Sequence, residues 1–203
     1  YKAMAEQEPN PIIKDIYYKI KEIIFRYGEK WDRLSPSEDE AMEFARKKIN
    51  EEPKCHEPTD TEYVLASSSI TINDRFRNNN WNDCDYKHVK YIEEKYCLKN
   101  DIVVYRGVSQ IPYEKMVKFA KGIKSIDYLE KGFLNTSIVK GKQIDYDIQL
   151  RIYIPKGSTA FYVGNITCEE KTYYEVIVQS GAGLKIVSKD NQYINCKLIQ
   201  TNL

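Results

Sequence analysis

The chain has 203 residues, 31 of them basic and 30 acidic, for a formal net charge of +1. This length supports one medium domain with its own core, and the charge balance excludes a bulk field that would attract nucleic acid or an acidic membrane. Five cysteines (Cys55, Cys84, Cys97, Cys168 and Cys196) lack CxxC spacing and read as isolated thiols, which excludes a disulfide framework and a zinc site.

No apolar run approaches the roughly 18 residues of a membrane span, and the opening Tyr1–Pro9 stretch has no signal-peptide core. A start at Tyr1 fits a mature protein or an excised domain, so the compartment stays open. From Ile12, the residues Ile13, Ile16, Tyr17, Ile20, Ile23, Ile24 and Tyr27 recur at helical spacing, and Gly28 is expected to close that helix. A second helix is expected from Ser35-Pro36-Ser37-Glu38, with Ala41, Met42, Phe44, Ala45 and Ile49 as its apolar face, ending near Pro53. Residues 52–60 read as a loop. A short helix is expected over Ile72–Arg77, and a longer one from Asp85 to Leu98 with Val89, Ile92 and Tyr96 inward.

From Asp101 the pattern changes. Ile102-Val103-Val104-Tyr105 reads as a buried strand and Tyr113–Ala120 as a short helix. Strands follow near 132–138, 147–154, 158–163, 173–178, 183–188 and 193–200, separated by Gly, Asn, Asp or Lys-Gly turns. Helices first and strands after predict an α+β fold, with helices packed on a mainly antiparallel two-sheet sandwich. The whole of 1–203 reads as a single domain, helical over about 10–100 and β-rich over about 101–203.

Three segments carry chemistry-bearing residues. Arg106, behind Val104-Tyr105 and before Gly107, is either a strand-end arginine with a carboxylate partner or a bidentate phosphate ligand. Asn135-Thr136-Ser137 is either a polar turn or a set of groups that orients a catalytic side chain. Glu175 is either a solvated strand end or a fixed carboxylate able to bond a ribose hydroxyl and oppose a cationic transition state. Asn73 and Arg77 stand four apart on one helical face, a helix surface or a second grip on phosphates. Cys55-His56 and His88 have no matching ligands elsewhere. A nucleic-acid reading of Trp81 with Asn78–Asn80 is disfavoured by the absence of a basic stripe.

In this order and spacing, the segments resemble the bacterial mono-ADP-ribosyltransferase toxins of the Arg/Ser-Thr-Ser/Glu class, the C3-like and the iota and VIP2-like binary-toxin branch. The resemblance covers roughly residues 10–200. It runs through Val104-Tyr105-Arg106-Gly107, Lys131-Gly132-Phe133-Leu134-Asn135-Thr136-Ser137, Ile154-Pro155-Lys156-Gly157, Tyr173-Tyr174-Glu175-Val176 and Ile72-Asn73 through Arg77. It implies an ADP-ribosyltransferase fold and NAD as co-substrate, with no metal. The implied NAD contacts are Arg106 and Arg77 on the diphosphate, helped by Asn73, the Gly107 backbone on the nicotinamide amide, and Tyr146 over the ring. Glu175 is implied as the catalytic carboxylate, oriented by Thr136 and Ser137, with Asn135 donating in place of the first serine.

The resemblance also implies a toxin or effector, secreted or injected and acting in host cytosol on a host protein. A separate or preceding translocation component is expected, without a nucleic-acid partner or a membrane span. Tyr173 departs from the pattern, standing where such proteins carry Glu or Gln toward the acceptor; a phenol is no carboxylate base at neutral pH. Glu169 and Glu170 lie just upstream as spatial substitutes. The acceptor is therefore undetermined, and the alternatives are an NAD glycohydrolase or a non-catalytic binding module on the same fold.

Overall fold

A computed structural model describes residues 10–49, 57–164 and 173–201. Among the described residues, six α-helices precede or interrupt the strands: α1 (Pro11–Phe25), α2 (Tyr27–Asp32), α3 (Ala41–Phe44), α4 (Asp60–Arg77), α5 (Asp83–Lys95) and α6 (Gln110–Ala120). The strands are β1 (Ile102–Val108), β2 (Tyr128–Glu130), β3 (Leu134–Ser137), β4 (Ile148–Ile154), β5 (Ala160–Tyr162), β6 (Glu175–Val178), β7 (Ala182–Lys189) and β8 (Ile194–Gln200). Among the described residues, no helix is long and apolar enough to cross a membrane.

The strands run in the order β2-β7-β8-β4-β1-β3-β6-β5, and of these neighbours only β4 and β8 are parallel. The expected two-sheet sandwich is thus one continuous sheet with a weak seam. Seven residue pairs join β1 to β4, whereas the single pair Tyr105↔Ser137 joins β1 to β3. At this seam the sheet opens, and β3-β6-β5 forms its own layer against α4 and α5. Phe133, Phe161 and Ile177 pack there with Leu65, Ile72 and Ile92. The larger core lies on strands β1, β4, β7 and β8 around Val104, Ile152, Leu184 and Met116.

Several helix limits differ from the sequence expectation. Gly28 does not close α1; Arg26 does, in the left-handed conformation at φ 49°. Gly28 is buried within α2, where a Cβ would collide with the Arg151 guanidinium. That guanidinium is 3.0 Å from Asp32 and 2.8 Å from Asp190, so the glycine serves close approach and not chain reversal. The second helix starts at Ala41, after Ser37 has bonded Glu40, and widens into a π-helical turn over Ala45–Ile49; its expected end near Pro53 lies outside the described residues.

The short helix expected at Ile72 is the last third of an 18-residue helix. Thr59 caps α4 and Glu62 returns the bond in a capping box, which satisfies two amide donors of the first turn. Asn82 and Asp85 do the same for α5. Strand β2, which had no counterpart in the sequence reading, pairs Tyr128, Leu129 and Glu130 with β7.

Candidate active site

Helix α4 presents Ser69, Asn73 and Arg77, each one turn apart, toward the open seam. Asn73 is fully engaged: its Nδ2 donates to the Phe133 carbonyl at 3.0 Å and to Asn135 Oδ1 at 3.1 Å, while its Oδ1 accepts from the Phe133 amide at 2.6 Å. This grip requires a glycine at 132, where a Cβ would occupy the space of the Asn73 amide. Asn73 therefore fastens β3 to the helix, a role different from the expected direct help with phosphates.

Asn135 passes that order on. Its Nδ2 donates to Glu175 Oε1 at 2.8 Å and to Ser69 Oγ at 3.1 Å. The neighbouring hydroxyls point elsewhere. Thr136 Oγ1 donates to the Val176 carbonyl at 2.8 Å, and Ser137 Oγ donates to the Val139 carbonyl at 3.0 Å. Both hydroxyls stabilise backbone around the glutamate, and its carboxylate is held by Asn135, the donor expected in place of the first serine. Ser137 is instead the strand partner of Glu175 across β3 and β6.

The residue before Glu175 is unusual. Tyr174 adopts φ 49°, a left-handed conformation that bulky residues rarely occupy and that costs on the order of 1–3 kcal/mol. Its ring is buried, its hydroxyl donates to Glu38 Oε2 at 3.3 Å, and its carbonyl accepts from the Ile138 amide at 2.9 Å. These contacts hold the turn that leaves Tyr173 half exposed and brings Glu175 to Asn135. Glu169 and Glu170, the upstream substitutes, lie outside the described residues, as does Cys55-His56.

The arginines meet at a residue that sequence reasoning missed. Arg77 makes a bidentate pair with Glu130, Nε to Oε1 at 3.0 Å and Nη2 to Oε2 at 2.8 Å. Arg106 Nη2 is 3.8 Å from the same Oε2, and its Nη1 donates to the Asn135 carbonyl at 2.7 Å. The Gly132 amide also donates to Glu130 Oε1, at 2.9 Å. The Glu130 side chain is 1% exposed and each guanidinium-bearing side chain 12%. One carboxylate thus serves two buried cations. Burial lowers the Arg106 pKa from its ordinary value against the raising effect of Glu130 and Glu175. At Arg77 burial also pulls down, but the Glu130 hydrogen bonds and charge outweigh it and the net shift is upward.

Arg106 Nε is buried and has no hydrogen-bond partner among the described residues. The exposed Asp74 also approaches Arg77 Nη1, at 3.5 Å, but Arg106 is incompletely satisfied, which gives the site capacity for an anion. Gly107 lies under the loop after β3. A Cβ there would collide with the Ile144 carbonyl oxygen, and Gln149 Nε2 ties that loop down through Ile144 O at 3.1 Å and Tyr146 O at 2.7 Å. Tyr146 is exposed on this loop, within electrostatic range of Arg106. No group of three His, Cys, Asp or Glu among the described residues is placed to hold a metal. His88 instead bonds Thr61 Oγ1 through Nδ1 at 2.8 Å.

At the open seam the Arg106 and Arg77 guanidiniums share Glu130, and Glu175 is held by Asn135. The model of the ADP-ribosyltransferase exoenzymes matches residues 30–203, and the chain belongs to that family. It is an NAD-dependent mono-ADP-ribosyltransferase of the bacterial toxin class.

The solved structures agree on the fold. The C3 exoenzyme of Clostridium limosum superposes with a TM-score of 0.60 at 19% identity, over 81% of this chain and 95% of that one. Plx2a, an ADP-ribosyltransferase toxin of Paenibacillus larvae, gives 0.56 at 18% identity, over 80% and 96%. BECa, from a binary enterotoxin of C. perfringens, gives 0.57 at 21% identity, over 79% of this chain and 48% of that longer one. No curated protein matches by sequence.

Proposed function

We propose that the seam binds NAD with its diphosphate on Arg106 and Arg77 and its nicotinamide ribose beside Glu175, and that ADP-ribose passes to a side chain of a host protein. The observation that carries this reading is the Glu175 carboxylate, held by the Asn135 side-chain amide while the Asn135 backbone carbonyl accepts from Arg106. One asparagine thereby sets the distance between the anion grip and the carboxylate. The partnerless Arg106 Nε and the shared Glu130 fit a diphosphate, and two structural neighbours, C3stau2 of S. aureus and BECa, were solved with NAD and NADH.

In this reading the bond between the ribose C1′ and the nicotinamide nitrogen breaks. Its electron pair leaves with neutral nicotinamide, and Glu175 stabilises the ribosyl oxocarbenium ion. The acceptor then attacks the opposite ribose face and loses its proton. Thr136 and Ser137 keep the Glu175 strand in register, Gly107 admits the covering loop, and Tyr146 stands on that loop near the nicotinamide. Exposed Tyr173 faces the acceptor side. Because its phenol does not act as a carboxylate base, water as acceptor is the second reading, which makes the protein an NAD glycohydrolase.

By analogy with the toxin class, the proposed site of action is host cytosol. C2-I, the enzymatic component of the C. botulinum C2 toxin, is another structural neighbour, and a separate or preceding translocation component is proposed by analogy. The test is nicotinamide release from NAD by wild type and Glu175→Gln, with and without cell lysate. Release that lysate stimulates, with label on a protein, supports the transferase, and lysate-independent release without label supports the glycohydrolase. Glu175→Gln is expected to lose about 3 kcal/mol of transition-state stabilisation, roughly 10²-fold. Wild-type turnover in that variant would refute the assignment.

A further inference from the structure

Two segments of the site rest on one carboxylate outside it. Glu38 lies in the turn before α3, and its side chain is 49% exposed. Its Oε1 pairs with Lys142 Nζ at 3.0 Å, and its Oε2 accepts from the Tyr174 hydroxyl at 3.3 Å. Lys142 belongs to the loop between β3 and β4 that carries Tyr146, and Tyr174 immediately precedes Glu175. The two segments also meet directly, because the Ile138 amide, at the root of the loop, donates to the Tyr174 carbonyl at 2.9 Å. Two residues before Lys142, Lys140 Nζ stands 2.6 Å from Asp32 Oδ2. The segment from Asp32 to Glu38 thus holds the loop at two alternate lysines, and its second acid holds the turn before Glu175 as well.

We propose that Glu38 is a positioning residue of the reaction, fixing the Tyr174 turn and the loop that bears Tyr146 in one mutual arrangement. The role rests on the NAD placement proposed above, with Glu175 at the ribose and Tyr146 by the nicotinamide.

A half-exposed ion pair contributes little to stability, so the consequence of this one is geometric. Tyr174 holds φ 49°, a conformation that a bulky residue keeps only where its surroundings over-determine it. Its ring is fixed by burial in the core that includes Ile138 and Val139, and its hydroxyl by Glu38. Without the hydroxyl bond the turn gains freedom to relax, and Glu175 is the next residue along the chain. Lys142 acts on the other segment. Its pair opposes lifting of the loop, whose far end Gln149 ties down through Ile144 O and Tyr146 O. Loss of Lys142 or of the Tyr174 hydroxyl frees one segment, whereas loss of Glu38 frees both. Asp32 does not isolate the effect, because it also accepts from Tyr105 and faces the buried Arg151.

The test is the kinetics of nicotinamide release, with NAD varied, for wild type, Glu175→Gln, Tyr174→Phe, Lys142→Ala, Glu38→Ala and the double variant Glu38→Ala/Tyr174→Phe. Tyr174→Phe keeps the buried ring and is expected to lower kcat roughly fivefold with KM nearly unchanged. Lys142→Ala is expected to raise KM roughly threefold with a smaller change in kcat. Glu38→Ala should show both changes. The double variant should be no slower than Glu38→Ala, because both substitutions remove the same contact. Melting midpoints should stay within about 2 °C of wild type, which separates positioning from support of the fold. Wild-type kcat and KM in Glu38→Ala, or a double variant whose two losses multiply, would overturn the proposal. So would a lowered midpoint with kinetics intact, because Glu38 would then serve the fold alone. A wild type that releases no more nicotinamide than Glu175→Gln would overturn the NAD placement itself, and this role with it.

Discussion

Replacing Glu130 by glutamine removes one negative charge and leaves the shape almost unchanged, so it isolates what that carboxylate does between the arginines. Arg77 loses a bidentate, charge-assisted pair at 3.0 and 2.8 Å with a partner only 1% exposed. Arg106 loses the anion 3.8 Å from its Nη2. Because both Nη2 atoms face one carboxylate oxygen, they lie within roughly 6–7 Å of each other. At an effective dielectric near 20, two unit charges at that separation repel by about 2–3 kcal/mol. That repulsion is present in both proteins, and in the variant the Glu130 charge no longer offsets it; breaking a buried pair by removing one partner costs about 3–5 kcal/mol in general.

Urea unfolding of Glu130→Gln is therefore expected to show a loss of about 3–4 kcal/mol with an unchanged m-value. Inorganic pyrophosphate should restore part of that loss, and should stabilise the variant more than the wild type, because the added anion replaces the missing carboxylate. A loss under about 1 kcal/mol would mean that water already solvates both guanidiniums, and the buried-cradle argument would fail. A full loss without recovery by pyrophosphate would leave Glu130 as a structural residue and remove the argument that the arginines receive a diphosphate.

Two further outcomes concern Asn135 and Asp85. Asn135→Ala removes the donor that fixes Glu175, and kcat in the nicotinamide-release assay should fall roughly 10²-fold with little change in NAD affinity; an equal fall in affinity would place Asn135 on the ligand instead. Asp85, joined to Arg75 at 2.6 and 2.7 Å, has its pKa lowered by the Arg75 hydrogen bonds, against burial, and further by the Asn82 amide. A carboxyl whose folded pKa is depressed contributes stability above its unfolded pKa and loses it as pH falls through the folded value. Asp85→Asn should thus cost about 2 kcal/mol at pH 7 and show a flatter decline in stability below about pH 4. A parallel decline in the two proteins would refute that linkage.

Much of the fold and part of the site were legible because periodicity and order along the chain are local properties. The alternation of Ile148–Ile154 and the apolar run before Arg106 are β4 and β1. The spacing of Asn73 and Arg77 does place them on one face of α4 toward the site. The helix itself was read too short because Ser67, Ser69 and Thr71 dilute its apolar pattern, although Thr59 and Glu62 spell its capping box. The Tyr174 conformation left no mark in composition, since nothing about a tyrosine signals a positive φ.

What the sequence hid are relations between distant segments. Glu130 sits 53 residues from Arg77, in a three-residue strand whose existence depends on pairing with β7. Its function as a shared counter-ion appears only when the end of α4, the end of β2 and the middle of β1 converge. The isoleucine stripe of α1, which stands exposed, shows the same limit from the other side. A period of 3.6 identifies the apolar arc, but the direction that arc faces is set by Lys189, Ser188 and Asn195, far along the chain, which capture Asp15 and Glu22. Three polar partners on the sheet offer that helix a better-satisfied inward face than its isoleucines do, since a buried carboxylate keeps its bonds only if they are met in place. The protein therefore holds its most apolar helix by its charges, and leaves its hydrophobic side turned outward.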